Sequence, residues 1–198
     1  MEKKIPFAPT VMLIDASYLD RVGSDLTEHF APIVNRKLPK ADLATLLECL
    51  ALDSGVTLGE NEVQVIFIYR NGENKMKFCT PSNLDKDLHE VAFKSQLGEF
   101  SVYAFQPSDM ATCEELFLES MMLAGESVQT DKIILVPDED GYGEQVDARL
   151  GKMDKKERFV VFGMNPPAHE LSYKFELVGF STVSYTHLRA HETAATLV

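Results

Sequence analysis

Apolar, β-branched runs alternate with amphipathic stretches along this chain, and the alternation predicts βαβ units and a parallel sheet. Thr10–Ile14 reads as the first strand, running straight into Asp15. Asp20–Phe30 and Lys40–Leu52 read as helices. In the second of these, Leu43, Leu46, Leu47 and Leu50 recur at i, i+3, i+4 and i+7 and so share one face. Val63–Tyr69 is a second strand, and its continuous apolar centre suits burial on both sides. The Asn71-Gly72 pair predicts a hairpin-like turn, with Lys75–Cys79 as a short antiparallel extension. Leu84–Leu97 is expected to be a helix capped by Ser82 and stopped by Gly98, and Phe100–Phe105 the third core strand.

The second half repeats the scheme. Thr112–Ala124 carries a capping box, Thr112 with Glu115, and closes at Gly125. Lys132–Val136 is the fourth strand, Gly143–Leu150 a helix, Arg158–Phe162 the fifth strand and Phe175–Ser181 a last short one. Pro166-Pro167 forbids a helix starting directly after Asn165. The pattern contains no internal repeat and no linker, so residues 1–182 read as a single α/β domain. Val183–Thr193 is similar to a translated sequencing-library adapter, which marks 183–198 as a non-native tail to be set aside in fold reasoning. His187 and His191 inside it, four apart, carry no metal-binding weight for the same reason.

Composition narrows the function classes. With 45% hydrophobic residues among 198, the chain can bury a sizeable core. Its formal net charge of −12 lacks the excess of basic surface on which nonspecific nucleic-acid binding rests. Cys49, Cys79 and Cys113 have neither CxxC nor zinc-ligand spacing and read as thiols in a reducing, cytoplasmic setting. The apolar stretch after Met1–Lys4 is broken by Pro6 and Pro9 and ends at Asp15, too short for a signal segment. No window approaches the length of a membrane span, so no membrane association is expected.

The chemistry concentrates where strands end. In an open parallel sheet, ligands bind beyond the carboxyl ends of the strands. Asp15 stands there after the first strand, and Asp138-Glu139-Asp140 after the fourth. Clustered carboxylates are a means of holding Mg²⁺ or Mn²⁺. The bland alternative is that Asp15 or Ser17 caps the following helix and the acidic triplet is a solvated turn. Glu115 and Glu119, four apart on one helix, supply either a further metal-binding corner or its solvent edge, with Asp109 and Glu114 as weaker candidates. His29, His89 and His169 stand apart from one another and from any cysteine, and read as surface or core residues. G-x-G-x-x-G and G-x-x-x-x-G-K-[ST] are both absent, which removes the dinucleotide fingerprint and the P-loop. Neither Phe7-Ala8-Pro9 nor Val161-Phe162-Gly163 supplies the acid pair and lysine of a phosphoacceptor receiver.

These residues resemble the NYN branch of the PIN-like domains, the LabA-like proteins. Ile14-Asp15-Ala16-Ser17-Tyr18-Leu19 stands where that family carries "IDG-N-L", and Leu135–Tyr142 where it carries an "SGDSDF"-like turn. Val160-Val161-Phe162-Gly163 matches a later strand ending in glycine. The motif asparagine is replaced, and direct alignment of the turn puts Glu139 and Gly141 at the family aspartates, while a one-residue slip uses Asp138 and Asp140. The chain also resembles a bacterial protein group of unassigned function, and Asp138-x-Asp140 has a minor likeness to the Toprim motif.

The NYN resemblance implies a three-layer Rossmann-like sheet of order 3-2-1-4-5, mostly parallel, with helices on both faces and the first and fourth strands adjacent. It implies a divalent-metal-dependent ribonuclease with an eroded acidic site acting on RNA, with Asp15, Asp138, Asp140 and Glu115 or Glu119 as catalytic and metal-binding residues and Mg²⁺ or Mn²⁺ as cofactor. The alternative it leaves open is a catalytically inactive scaffold that binds a protein partner or forms a homo-oligomer.

Overall fold

The computed structural model describes residues 6–179, apart from positions 34, 36 and 109. The expectations placed on Asp109, Ser181, His187, His191 and the adapter-like tail fall outside the described residues. Along the chain run β1 (Thr10–Asp15), α1 (Ala16–Ile33), β2 (Ala41–Asp42), α2 (Leu43–Asp53), β3 (Asn61–Ile68) and β4 (Cys79–Thr80). A single π-helical turn at Leu84–Leu88 leads into β5 (Val91–Ser95) and β6 (Gly98–Phe105). Then come α3 (Cys113–Glu126), β7 (Lys132–Val136), α4 (Glu139–Leu150), a 3₁₀ turn at Lys156–Arg158, β8 (Phe159–Gly163) and β9 (Lys174–Leu177).

The main sheet has seven strands in the order β5-β6-β3-β1-β7-β8-β9. All its pairings are parallel except β5 against β6. β1 is therefore central, with Thr10 opposite Val63 of β3 on one side and opposite Lys132 of β7 on the other. The period of two along the strands divides the core into two layers. Met12 and Ile14 of β1 join Leu19 of α1 and Leu43, Leu46, Leu47 and Leu50 of α2 on one side. Val11 and Leu13 point the other way, into Phe117, Leu118 and Met121 of α3 and Val146 and Leu150 of α4. The architecture is thus mixed α/β, with a mostly parallel sheet between two helical layers.

The largest departure from expectation lies at 84–97. Instead of one helix there is a π turn capped by Asn83, not Ser82, followed by β5. Glu90 has a positive φ of 58°, which ends the helical turn, and the chain then extends to pair antiparallel with β6. Phe93 of β5 stacks on its cross-strand partner Phe100 at 4.8 Å between ring centroids, so the hairpin secures an apolar contact between the two strands. Gly98 opens β6 instead of ending a helix, with φ 127° and no room for a side chain beside the Asn61 backbone. The extension expected at Lys75–Cys79 reduces to an isolated antiparallel bridge between Lys75 and Asn83, while β4 pairs in parallel with β2. α1 begins at once after β1, and α4 begins at Glu139, both earlier than the sequence pattern predicts.

Candidate functional site

β1 and β7 are neighbours, so the turns that follow them open into one crevice at the carboxyl ends of the strands. Asp15 is the last residue of β1 and stands at the N-cap of α1. Its Oδ1 accepts the backbone N–H of Tyr18, three residues into the helix, at 3.0 Å. Its Oδ2 accepts the Tyr142 hydroxyl at 2.8 Å. The carboxylate is only 2% exposed, and its pKa is raised above the ordinary aspartate value. Burial is the main cause, opposed by the two hydrogen bonds and reinforced by the nearby charge of Asp138. Both oxygens of Asp15 are thus spent on holding α1 and α4 against the sheet.

Asp138 plays the same capping part for α4, accepting Gly141 N–H at 3.3 Å. The adjacent acids are bound by a cation from another element. Arg21, on α1, donates from Nη2 to Asp138 at 3.0 Å and from Nη1 to Asp140 at 2.9 Å. Arg70, just past β3, approaches the second oxygen of Asp138 at 3.9 Å. Asp138 is fairly well shielded, its side chain 14% exposed, whereas Asp140 is 65% exposed. One guanidinium spanning two carboxylates satisfies geometry and charge together. Accordingly the Arg21 pKa is raised, first by its hydrogen bond to Asp140.

Glu139, between the two aspartates in sequence, is turned away from them. Its Oε2 accepts the Tyr18 hydroxyl at 3.0 Å and the Met164 N–H at 2.7 Å, while Oε1 accepts Asn165 N–H at 3.3 Å. It ties the turn after β8 to α1. Gly163 makes room for this, since a Cβ there would lie 3.2 Å from the Glu139 carboxyl carbon and 2.9 Å from the Phe175 ring. Above the crevice, Ser17 donates to Glu73 at 2.8 Å. Cys113, at the start of α3, has its thiol pKa pushed up to about 11, mainly by burial and then by the charge of Asp15.

Glu115 is occupied elsewhere. Its carboxylate accepts Thr112 N–H at 2.8 Å and the Thr112 hydroxyl at 3.2 Å, completing the capping box of α3. Glu119 is an exposed residue one turn further along the helix. Asp15 and Asp138 therefore lie near one another beyond the ends of β1 and β7, and Asp138 and Asp140 share Arg21, while Glu115 is committed to its own helix end. Among the described residues no group of three or more His, Cys, Asp or Glu side chains is arranged to hold a metal ion. As placed, the carboxylates do not form a Mg²⁺ or Mn²⁺ centre: both oxygens of Asp15 accept hydrogen bonds from Tyr18 and Tyr142, and Arg21 holds one oxygen each of Asp138 and Asp140.

Sequence reasoning passed over Arg21, Arg70, Tyr18 and Tyr142. The only signal for Arg21 was that it is the first basic residue after Asp15. Nothing local marks Tyr142 as the partner of a residue 127 positions earlier. No curated protein and no solved structure matches the chain. A family model matches residues 4–193, nearly the full length, and the chain therefore belongs to that family, described as a family of unknown function (DUF6621).

Proposed function

We propose that this chain is a PIN-like α/β scaffold whose acidic crevice is neutralised from within and which works as a non-catalytic interaction module. The observation that carries the reading is Arg21, bonded to Asp138 and Asp140 in the position where a cation-dependent site would need those carboxylates open. The buried Asp15, capped by Tyr18 N–H and tied to Tyr142, supports it. For the scaffold itself, the parallel run β6-β3-β1-β7-β8 supports the 3-2-1-4-5 Rossmann-like reading, with β5 and β9 as additions at its edges.

The second reading, a Mg²⁺- or Mn²⁺-dependent ribonuclease, is favoured by one feature. Asp15 and Asp138 are close enough for the charge of one to raise the pKa of the other. The two readings part in a single experiment. The purified chain is titrated with Mn²⁺ while its thermal midpoint is followed, and single-stranded RNA is incubated with the chain and with Asp15→Asn. The scaffold reading expects an unmoved midpoint and no cleavage above background in either protein. Metal-stimulated cleavage that Asp15→Asn abolishes would overturn it in favour of the nuclease.

A further inference from the structure

The helices cover the sheet unevenly. α3 and α4 bury the faces of β1, β7 and β8 on their side, and the core there ends at Ile66 and Ile68 of β3. Beyond β3 on the same face, β6 shows Ser101, Tyr103 and Phe105 outward, alternating with the buried Phe100, Val102 and Ala104. The rings of Tyr103 and Phe105 lie within 2° of parallel, their centroids 6.3 Å apart. His89 meets them edge-on at 6.4 and 5.6 Å. Phe105 is 37% exposed. This aromatic stripe runs down into an open groove of about 830 Å³, lined by Tyr103, Ser101 and Gln64 and by the 6–9 segment. At its mouth stand Glu60 and Glu62, both exposed and without an ion-pair partner among the described residues, and Glu99, which is paired with Lys94 at 3.6 Å.

We propose that this aromatic stripe and acidic groove form a docking site for an extended, arginine-bearing peptide segment of a basic protein partner. Two independent features select the same ligand chemistry. Flat aromatic faces attract a guanidinium laid over them within about 6 Å. The carboxylates of Glu60 and Glu62, four or more residues away along the strands from Tyr103, attract a second cation of the same kind, and the net charge of −12 steers a basic partner toward the protein from a distance. Shape favours a strand-like occupant over a compact one. Ser101 to Phe105 spans about 13 Å along β6, the length of about four residues of extended chain. The inference goes beyond the interaction-module reading, because it concerns a different face of the molecule and would stand if the crevice proved catalytic.

The test titrates the ¹⁵N-labelled full chain with Gly-Arg-Gly-Arg-Gly-Arg-Gly, with its aspartate counterpart and with single-stranded oligouridylate. The arginine peptide is expected to shift the amides of residues 99–105 and 60–64 selectively. Its affinity should fall at least fivefold in Tyr103→Ala/Phe105→Ser and at least threefold in Glu60→Gln/Glu62→Gln. Asp25→Asn/Asp154→Asn, which removes the same charge from α1 and the loop after α4, should change it less than twofold. Tyr103→Phe/Phe105→Tyr should retain binding and so separates lost aromatic contact from lost folding. Equal weakening by both acid-neutralised pairs, or tighter binding of the aspartate peptide or the RNA, would overturn the proposal. So would a concentration-dependent dimer that Tyr103→Ala/Phe105→Ser abolishes, since the occupant would then be a second copy. Amides at 99–105 that respond only after residues 1–5 are removed would name the chain's own terminus instead.

Discussion

Tyr142→Phe removes one oxygen atom and tests whether the crevice is held together by its buried carboxylate. The ring is 5% exposed and packs against Phe117 at 5.4 Å between centroids, so phenylalanine keeps the packing. The loss is the 2.8 Å hydrogen bond to Asp15 Oδ2. A hydrogen bond to a charged group contributes about 1.5–3 kcal/mol, because removing the donor strands a buried acceptor. For a chain of this size each kcal/mol moves the midpoint by about 2–4 °C, so Tyr142→Phe should lower it by about 3–12 °C at pH 8.

The partner substitution, Asp15→Asn, is expected to be mild. The asparagine carbonyl can accept Tyr18 N–H, and its amide can donate to the Tyr142 oxygen. In that background Tyr142→Phe breaks a neutral bond, and its cost should shrink to about 0.5–1.5 kcal/mol. Urea unfolding of the four proteins in a double-mutant cycle should therefore return a coupling of about 1 kcal/mol or more. The pH dependence has a definite sign. The folded-state pKa of Asp15 is raised, so the fold binds this proton more tightly than the unfolded chain does. Its stabilising contribution is full below the unfolded aspartate value and is lost as pH rises through the folded value. Asp15→Asn should flatten that decline. A coupling below about 0.3 kcal/mol that is the same at pH 5 and pH 8 would refute the account of Asp15 as the buried anchor of Tyr142.

Other outcomes follow from single contacts. Arg21→Ala frees two carboxylates, but the guanidinium is half exposed, so calorimetric stability should change by no more than about 1 kcal/mol while Mn²⁺ affinity measured by titration rises. Gly98→Ala places a Cβ 2.1 Å from the Asn61 carbonyl oxygen at a φ of 127°, and urea unfolding should show a loss of at least about 2 kcal/mol. Glu115→Ala, which opens the capping box of α3, should cost about 0.5–2 kcal/mol, with Glu115→Gln recovering most of it.

Segments whose local pattern and tertiary environment agree could be read from sequence alone. Lys132–Val136 is a strand in both views, because the apolar run Ile133–Val136 suits a position buried on both faces. α2 and α3 were legible because their leucines and their capping residues lie within a few positions of each other. The acids at the ends of β1 and β7 were legible as a pair worth examining. At 84–97 Ser82 and Gly98 imitate the two ends of a helix, and pairing with β6 is what makes 91–95 extended after the turn at 84–88. What the acids do was decided by residues remote in the chain. Arg21 reaches Asp138 and Asp140 across 117 and 119 positions, and Tyr142 reaches Asp15 across 127. Periodicity and capping are short-range signals carried by neighbouring residues. The partner of a charged group depends on which strands lie side by side, and that is settled only when the sheet assembles.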